Sequence, residues 1–403
     1  MIASTAIAIA AAEGARRLLT PRTAPLEPAH VEIRSYFSDA EIERGRRYAR
    51  PQRALGLGRT AIDLAALVTL ARRPPRALAA SRSRPVAAAG VAAGGLAVAM
   101  SVPTLPLRAI SRRRAIAVGL DTQSWRGWGA DLLKASAIET VFAGAAGSAI
   151  VAAVRRYPRG WWLPAASASV LTGTVLAALA PVVLDPLFND FTPLPEGEAR
   201  ADVLELARAA GVKVGEVYSV DASRRTTAAN AYVTGLGPTK RVVLYDTLLD
   251  RYSRDELRMV VAHELAHVRH RDVPRGVLYA TLVAPAVALA VQRMSWALSP
   301  ARATPAVLPV LALAAALVSA PVGIVGNRLS RAIERRADEF SLQLAAAPEA
   351  LVSFERAIAL QNLADLEPPA WVTRLFSTHP PTAERIGAAL AWTRRGEAAS
   401  AAA

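Results

Sequence analysis

The 403-residue sequence has no cysteine. Disulfides, thiolate metal ligands and a cysteine nucleophile are therefore excluded, which leaves histidine and carboxylate as the donors available to a transition metal. Histidine is also scarce, with five residues at 30, 263, 267, 270 and 379. Lysine occurs only at 134, 213 and 240, so the formal charge of +15 is carried almost wholly by arginine. The arginines cluster beside apolar runs. That placement points to anionic headgroups at a membrane surface and away from nucleic acid.

Apolar length is what the chain has in abundance. Hydrophobic residues make up 53% of it, and runs of 18 residues or more recur at about 54–71, 85–107, 130–154, 161–184, 274–298 and 305–327. Each is long enough to cross a bilayer, so the expected fold is mostly α and polytopic in the membrane. Segments rich in Ala, Gly and Ser, such as 87–95 and 143–153, suit close helix packing where lipid gives no hydrophobic drive. Residues 1–19 hold a shorter apolar run followed by Glu13, Arg16 and Arg17. With no basic start they make a poor signal peptide and a marginal seventh membrane helix.

Residues 20–53 read as a Pro-rich and then basic juxtamembrane segment. After Asp185 the pattern turns polar, with a helical period at 198–210 and strand-like runs at 214–220, 229–234 and 241–246. The last two runs are joined by a Gly/Pro hairpin signal at 235–239. Residues 328–346 and 349–366 read as further polar helices. The expected division is a membrane region at 1–190, a second module with two membrane helices at 191–396, and a disordered tail at 397–403.

The chemistry centres on His263-Glu264-Leu265-Ala266-His267. Ser253 with Glu256 three residues on forms a capping box that starts this helix. Two histidines four apart share one helical face and can hold a zinc ion, with Glu264 beside them as general base. His270 lies a further turn on. Seven residues of helix rise about 10 Å, too far for one tetrahedral ion, so His270 reads as a helix-end residue. His30 reads as a surface residue.

A chain that leaves the membrane surface near Asp272, crosses and returns would bring back Glu334-Arg335-Arg336-Ala337-Asp338. Glu334 then completes a His-His-Glu set with an open fourth position. Asp338 can orient a zinc-bound imidazole or take part in proton transfer. The bland alternative is a solvated face on which Glu334 and Asp338 pair with Arg331, Arg335 or Arg336. His379, in Ser377-Thr378-His379-Pro380-Pro381, and Arg385 are either a structural turn or groups that stabilise an oxyanion.

These residues resemble the M48 metallopeptidases, and within them the Ste24-type CAAX prenyl protease branch. The resemblance rests on HELAH at 263–267, Glu334 with Ala337-Asp338, and His379-Pro380-Pro381. It is extended by 36–53, Gly119–Ser124, Asp185–Leu194, Asn230-Ala231-Tyr232 and Lys240–Leu249. It implies a seven-helix intramembrane chamber with a gluzincin-type peptidase module carrying a small β-hairpin or sheet. It also implies one Zn2+ on His263, His267 and Glu334, with Glu264 as base and Asp338 as proton donor. His379 and Arg385 would stand near the transition state, and Asn230, Ala231 and Tyr232 would form a substrate edge strand. Ala266 stands where the family usually has Gly.

The expected function is an integral membrane zinc endopeptidase acting on peptides or proteins at the bilayer, by CAAX-type processing or membrane-protein turnover. The rivals are an HtpX-like quality-control protease and a non-enzymatic chamber or transporter with structural zinc. An arginine-rich chain of this kind suits a bacterial inner membrane with the zinc side in the cytoplasm. Oligomeric state is not legible.

Overall fold

The structure, a computed structural model, describes residues 2–22, 26–76, 78, 84–235, 240–299 and 303–401. The membrane region begins with α1 (Ile2–Leu19) and α2 (Asp39–Arg72), followed by α3 (Pro85–Ser101) and α4 (Leu105–Ala117), then α5 (Trp125–Arg156) and α6 (Trp162–Leu179). The chain continues through β1 (Phe191–Pro193), α7 (Glu198–Ala209), β2 (Glu216–Val220), β3 (Ala231–Thr234), β4 (Arg241–Tyr245) and α8 (Asp246–Arg251). It closes with α9 (Arg254–Arg269), α10 (Asp272–Leu298), α11 (Leu308–Ala345), α12 (Pro348–Gln361), α13 (Ala370–Phe376) and α14 (Thr382–Ala401).

Among the described residues, six helices are long and apolar enough to cross a membrane: Asp39–Arg72, Pro85–Ala117, Trp125–Arg156, Trp162–Leu187, Asp272–Leu298 and Pro305–Ala345. They match the six apolar runs, but two are longer than the sequence suggests. The basic segment at 39–53 is the first half of α2, which starts at a capping box on Ser38 and Glu41 and runs unbroken through Pro51. Residues 328–346 are likewise no separate helix. They continue the last span in a single helix of 38 residues, because Leu329, Ala337 and Leu342 prolong its buried stripe. α1 is a full helix seated against α10 and α11, with Ala8 packed on Ala290 and Ala314, and Ala12 and Ala15 on Val283 and Val325.

The membrane helices touch along narrow stripes. A Cβ built on Gly147 of α5 would lie 2.4 Å from Ala93 Cβ and 2.8 Å from the Ala89 carbonyl oxygen of α3, so glycine lets these two backbones meet. Elsewhere the helices are bare. In the apolar part of α2 only Leu67 is buried, and in 162–187 only Ala166. Helices so little covered by neighbours are built to face lipid along most of their length.

The soluble part is built on a four-stranded sheet in the order β1-β2-β4-β3. β4 pairs parallel with β2 and antiparallel with β3, as the hairpin signal predicts, and leaves β3 at an edge. The turn itself, at 236–239, lies outside the described residues, as do 300–302 between α10 and α11. β1 is not legible as a strand in the sequence, since three residues ending in proline carry no alternation. Val217, Val242 and Leu244 of the sheet share one core with Val203 and Leu206 of α7, Val261 and Leu265 of α9 and Phe354 of α12. The last helix continues to Ala401, where the sequence suggests a tail from 397. Alanine is the strongest helix former, so the run of alanines extends the helix. Residues 402–403 lie outside the described residues.

Candidate metal centre and active site

α9 carries the first half of the site. Ser253 Oγ accepts from Glu256 N–H, and Glu256 Oε2 accepts from Ser253 N–H at 2.8 Å, which closes the expected capping box. Leu257, Val260, Val261 and Leu265 face the core, so the other side of the helix presents His263, Glu264 and His267. One ligand atom from each of the three lies within 4.8 Å of the others. Asp202 of α7 secures the start of the helix, accepting from Arg254 at 2.7 and 2.9 Å and from Arg258 at 2.6 Å. Its carboxyl is held below the usual range by the Arg254 hydrogen bond, which outweighs burial.

The helix ends at His270, whose ring rests on Phe340 with centroids 5.3 Å apart. Arg271 then adopts a left-handed conformation at φ 56°, and the chain turns directly into α10. That turn brings Asp272 back to His267, with Oδ2 3.0 Å from Nδ1. Asp272 is not among the expected site residues, because nothing in the sequence marks a non-glycine left-handed break.

The out-and-back helix pair delivers the second half. Twenty-six residues separate Asp272 from Leu298, and the same number separates Leu308 from Glu334. Each stretch rises about 39 Å, so Glu334 returns to the level of α9. Glu334 is 8% exposed. Its Oε2 lies 3.2 Å from His263 Nε2 and its Oε1 lies 3.7 Å from His267 Nε2. Asp338, one turn on and 2% exposed, places Oδ1 2.9 Å from His263 Nδ1.

His267 Nδ1 is hydrogen-bonded to Asp272 and His263 Nδ1 lies 2.9 Å from Asp338 Oδ1, contacts that favour the tautomer with its Nε2 lone pair toward Glu334. Two lone pairs and a carboxylate converging without a proton repel one another unless a cation lies between them. The donor set therefore fits a metal ion. The electrostatics agree. Burial opposes protonation of His263, yet hydrogen bonding to Asp338 and Glu334 pushes it up to about 10, as at a point where positive charge is favoured. Burial also raises the Glu264 carboxyl. Glu264 makes no hydrogen bond or ion pair among the described residues, so its oxygens are free.

His379 is 63% exposed, with Nε2 3.5 Å from Glu334 Oε2. The turn that carries it is pinned from α11, where Asn327 donates to the Leu375 carbonyl at 2.8 Å and Arg331 donates to the Ser377 carbonyl. Arg385 lies elsewhere. Its Nε and one terminal nitrogen donate to Asp338 at 2.9 and 2.6 Å, and its other terminal nitrogen pairs with Glu355 of α12.

Two expected roles do not suit this geometry. Arg385 directs all three nitrogens to Asp338 and Glu355 behind His263, which suits a positioning role and not an oxyanion contact. Asp338 has both oxygens occupied by Arg385 and His263, so it cannot readily donate a proton on the open side. Glu355, 2% exposed, is a site residue that sequence reasoning misses. The one signal for it is an acid inside the apolar stripe formed by Leu351, Phe354 and Ala359. Of the expected substrate strand, Ala231 and Tyr232 lie on edge strand β3, which packs along α9. Asn230 precedes it, exposed, with its carbonyl accepting from Tyr245 N–H at 3.1 Å.

Fold and site together define an integral, multi-pass membrane metallopeptidase. The sequence profile of peptidase family M48 matches residues 193–393. The profile described as CAAX prenyl protease N-terminal, five membrane helices, matches residues 24–190. The chain is 31% identical over 300 residues to the uncharacterized metalloprotease YhfN of Bacillus subtilis, covering 72% of this chain and 70% of that protein. A CAAX prenyl protease 1 homolog of Oryza sativa subsp. japonica is 31% identical over 225 residues, covering 53% of this chain and 52% of its own length. The crystal structure of S. mikatae Ste24p superposes with a TM-score of 0.77 at 20% identity, covering 96% of both chains. The chain belongs to peptidase family M48, on its Ste24-type branch. It spans about half the length of the plant CAAX protease.

Proposed function

We propose that this metalloendopeptidase uses one zinc ion, held by His263, His267 and Glu334, to cleave peptides and proteins that reach it from the membrane. The observation that carries the reading is the convergence of two Nε2 lone pairs and one carboxylate, with Glu264 free beside them. Zinc bound there supplies Lewis-acid polarisation of the scissile carbonyl and of water. Glu264 takes the proton of the attacking water and passes it to the leaving amine, a task suited by a carboxyl that burial has raised. His379, exposed on the same side as Glu334 Oε2, steadies the charge that develops on the carbonyl oxygen. Asp338 and Asp272 orient the two imidazoles, and Arg385 and Glu355 act through Asp338. The substrate adds as a further strand to β3, beside Asn230, Ala231 and Tyr232.

The natural substrates are membrane-associated polypeptides. The match of residues 24–190 favours CAAX-type processing or a related membrane-protein turnover over an HtpX-like role, since that profile describes the membrane region of CAAX prenyl proteases. The arginines beside the zinc-side ends of the helices favour a cytoplasmic active site. The test is Glu264→Gln. The variant should keep its zinc and lose peptide cleavage by at least ~10^3-fold. Cleavage by the variant at the parent rate removes Glu264 from the mechanism, and an absence of zinc in both forms removes the metal assignment.

A further inference from the structure

Behind His267, on the side away from Glu334, a cavity of about 510 Å³ opens between the end of α1, the turn after α9 and α11. Arg22, His270, Arg275 and Arg336 line it together with one carboxylate, Glu339. Arg275 and Arg336 both donate to a single oxygen of Asp272, Oδ1. Two guanidiniums on one carboxylate leave positive charge over. Arg22 adds to it, with no ion pair among the described residues, and Arg269 and Arg271 stand exposed on the same turn. Glu339 offsets only one of these charges. Arg336 Nε is buried without a hydrogen-bond partner. Burial and the Arg336 charge push His270 down, so the cavity already disfavours another cation.

The position of the cavity fits its charge. Asp272 is the first residue of a helix long and apolar enough to cross a membrane, and Leu19 is the last of α1, a placement that suits a mouth at headgroup level. Leu18, 61% exposed, and Leu19 give it an apolar wall toward the bilayer. Basic pockets between membrane helices at this depth are suited to phosphate-bearing headgroups.

We infer that this cavity binds a phosphate anion, supplied by an anionic phospholipid headgroup, and that its occupancy tunes the metal centre through Asp272. An anion that engages Arg275 and Arg336 loosens their hold on Asp272 Oδ1. The carboxylate then polarises His267 Nδ1–H more strongly and makes the ring a better donor. This coupling rests on His267 being a zinc ligand, whereas the anion site does not.

The experiment uses the full chain in neutral detergent, titrated calorimetrically with short-chain phosphatidylglycerol, short-chain phosphatidylcholine and inorganic phosphate. Phosphatidylglycerol should bind at one site, at least ~10-fold more tightly than phosphatidylcholine, and Arg22→Gln should weaken it about tenfold. In the zinc-loaded protein, saturating phosphatidylglycerol should slow zinc transfer to a chelator severalfold. Arg22→Gln should abolish that slowing and leave the basal transfer rate unchanged. Inorganic phosphate binding as tightly as the lipid supports the anion site and assigns it to free phosphate. Equal binding of the two lipids, or an Arg22→Gln variant that binds phosphatidylglycerol like the parent, overturns the site. Binding without any change in zinc transfer overturns the coupling. A chain that holds no zinc sinks the metal assignment, while the calorimetric titration still decides whether the cavity takes an anion.

Discussion

His263 and His267 present the same atom to the same carboxylate, yet what stands behind them differs. Behind His263, Arg385 lies between the carboxyl groups of Asp338 and Glu355, both of them buried. Behind His267, Asp272 lies between Arg275 and Arg336, so one anion meets two cations, beside an open cavity. The first group is enclosed in a medium that strengthens its ion pairs, and it holds its imidazole rigidly as a strong donor. The second carries net positive charge where solvent and headgroups can reach it. One half of the centre is fixed by the fold, and the other is open to adjustment.

Breaking each half separately sharpens this comparison. The largest effect should come from Asp338→Asn. It removes the anion nearest His263 and leaves Arg385 with Glu355 alone. Loss of one partner from a buried ion cluster destabilises by about 3–5 kcal/mol, so thermal unfolding should fall markedly and zinc affinity by about 100-fold. Glu355→Gln should come next. It leaves Asp338 in place but removes the second carboxyl group from Arg385, lowering zinc affinity about tenfold by chelator competition while side-chain packing persists. Equal zinc affinity in this variant and the parent would show that Arg385 needs no second carboxylate. Asp272→Asn should cost His267 its orienting acceptor and lower zinc affinity by about tenfold or less, with little change in melting temperature, because its surroundings are less buried.

An effect on stability alone lies away from the metal. Asp202 has its carboxyl depressed in the folded state, so its contribution is present above its unfolded value near ~3.9 and fades as pH falls through the lower folded value. Asp202→Asn should therefore destabilise by about 1–3 kcal/mol at neutral pH. The gap between parent and variant should close in acid below about pH 4. A gap that stays constant with pH would mean that Asp202 acts through shape and not charge.

The sequence exposes what local periodicity governs. His263 and His267 share a face because four residues make about one turn. Glu334 can be expected at the site because two spans of equal length return the chain to its starting level. The neighbours behind the histidines have no such signal. Glu355 and Arg385 meet because α12 and α14 cross, and Asp272 arrives only because Arg271 takes a left-handed conformation that arginine rarely signals. Arg385 stands close to His379 in sequence, which suggests a shared role. The helix between them turns the Arg385 side chain inward while His379 stays on the exposed turn. The lengths of α2 and α11 are hidden for a related reason, since a change from apolar to polar composition marks the membrane boundary and not the end of a helix.

The central claim is that His263, His267 and Glu334 hold one zinc ion. Zinc-edge X-ray absorption on the purified protein tests it most directly. The expected shell has two imidazole nitrogens at about 2.0–2.1 Å with oxygen donors completing it. In Glu334→Gln, bound zinc should fall away. A shell of three or more imidazoles, or of oxygen alone, would contradict the assignment.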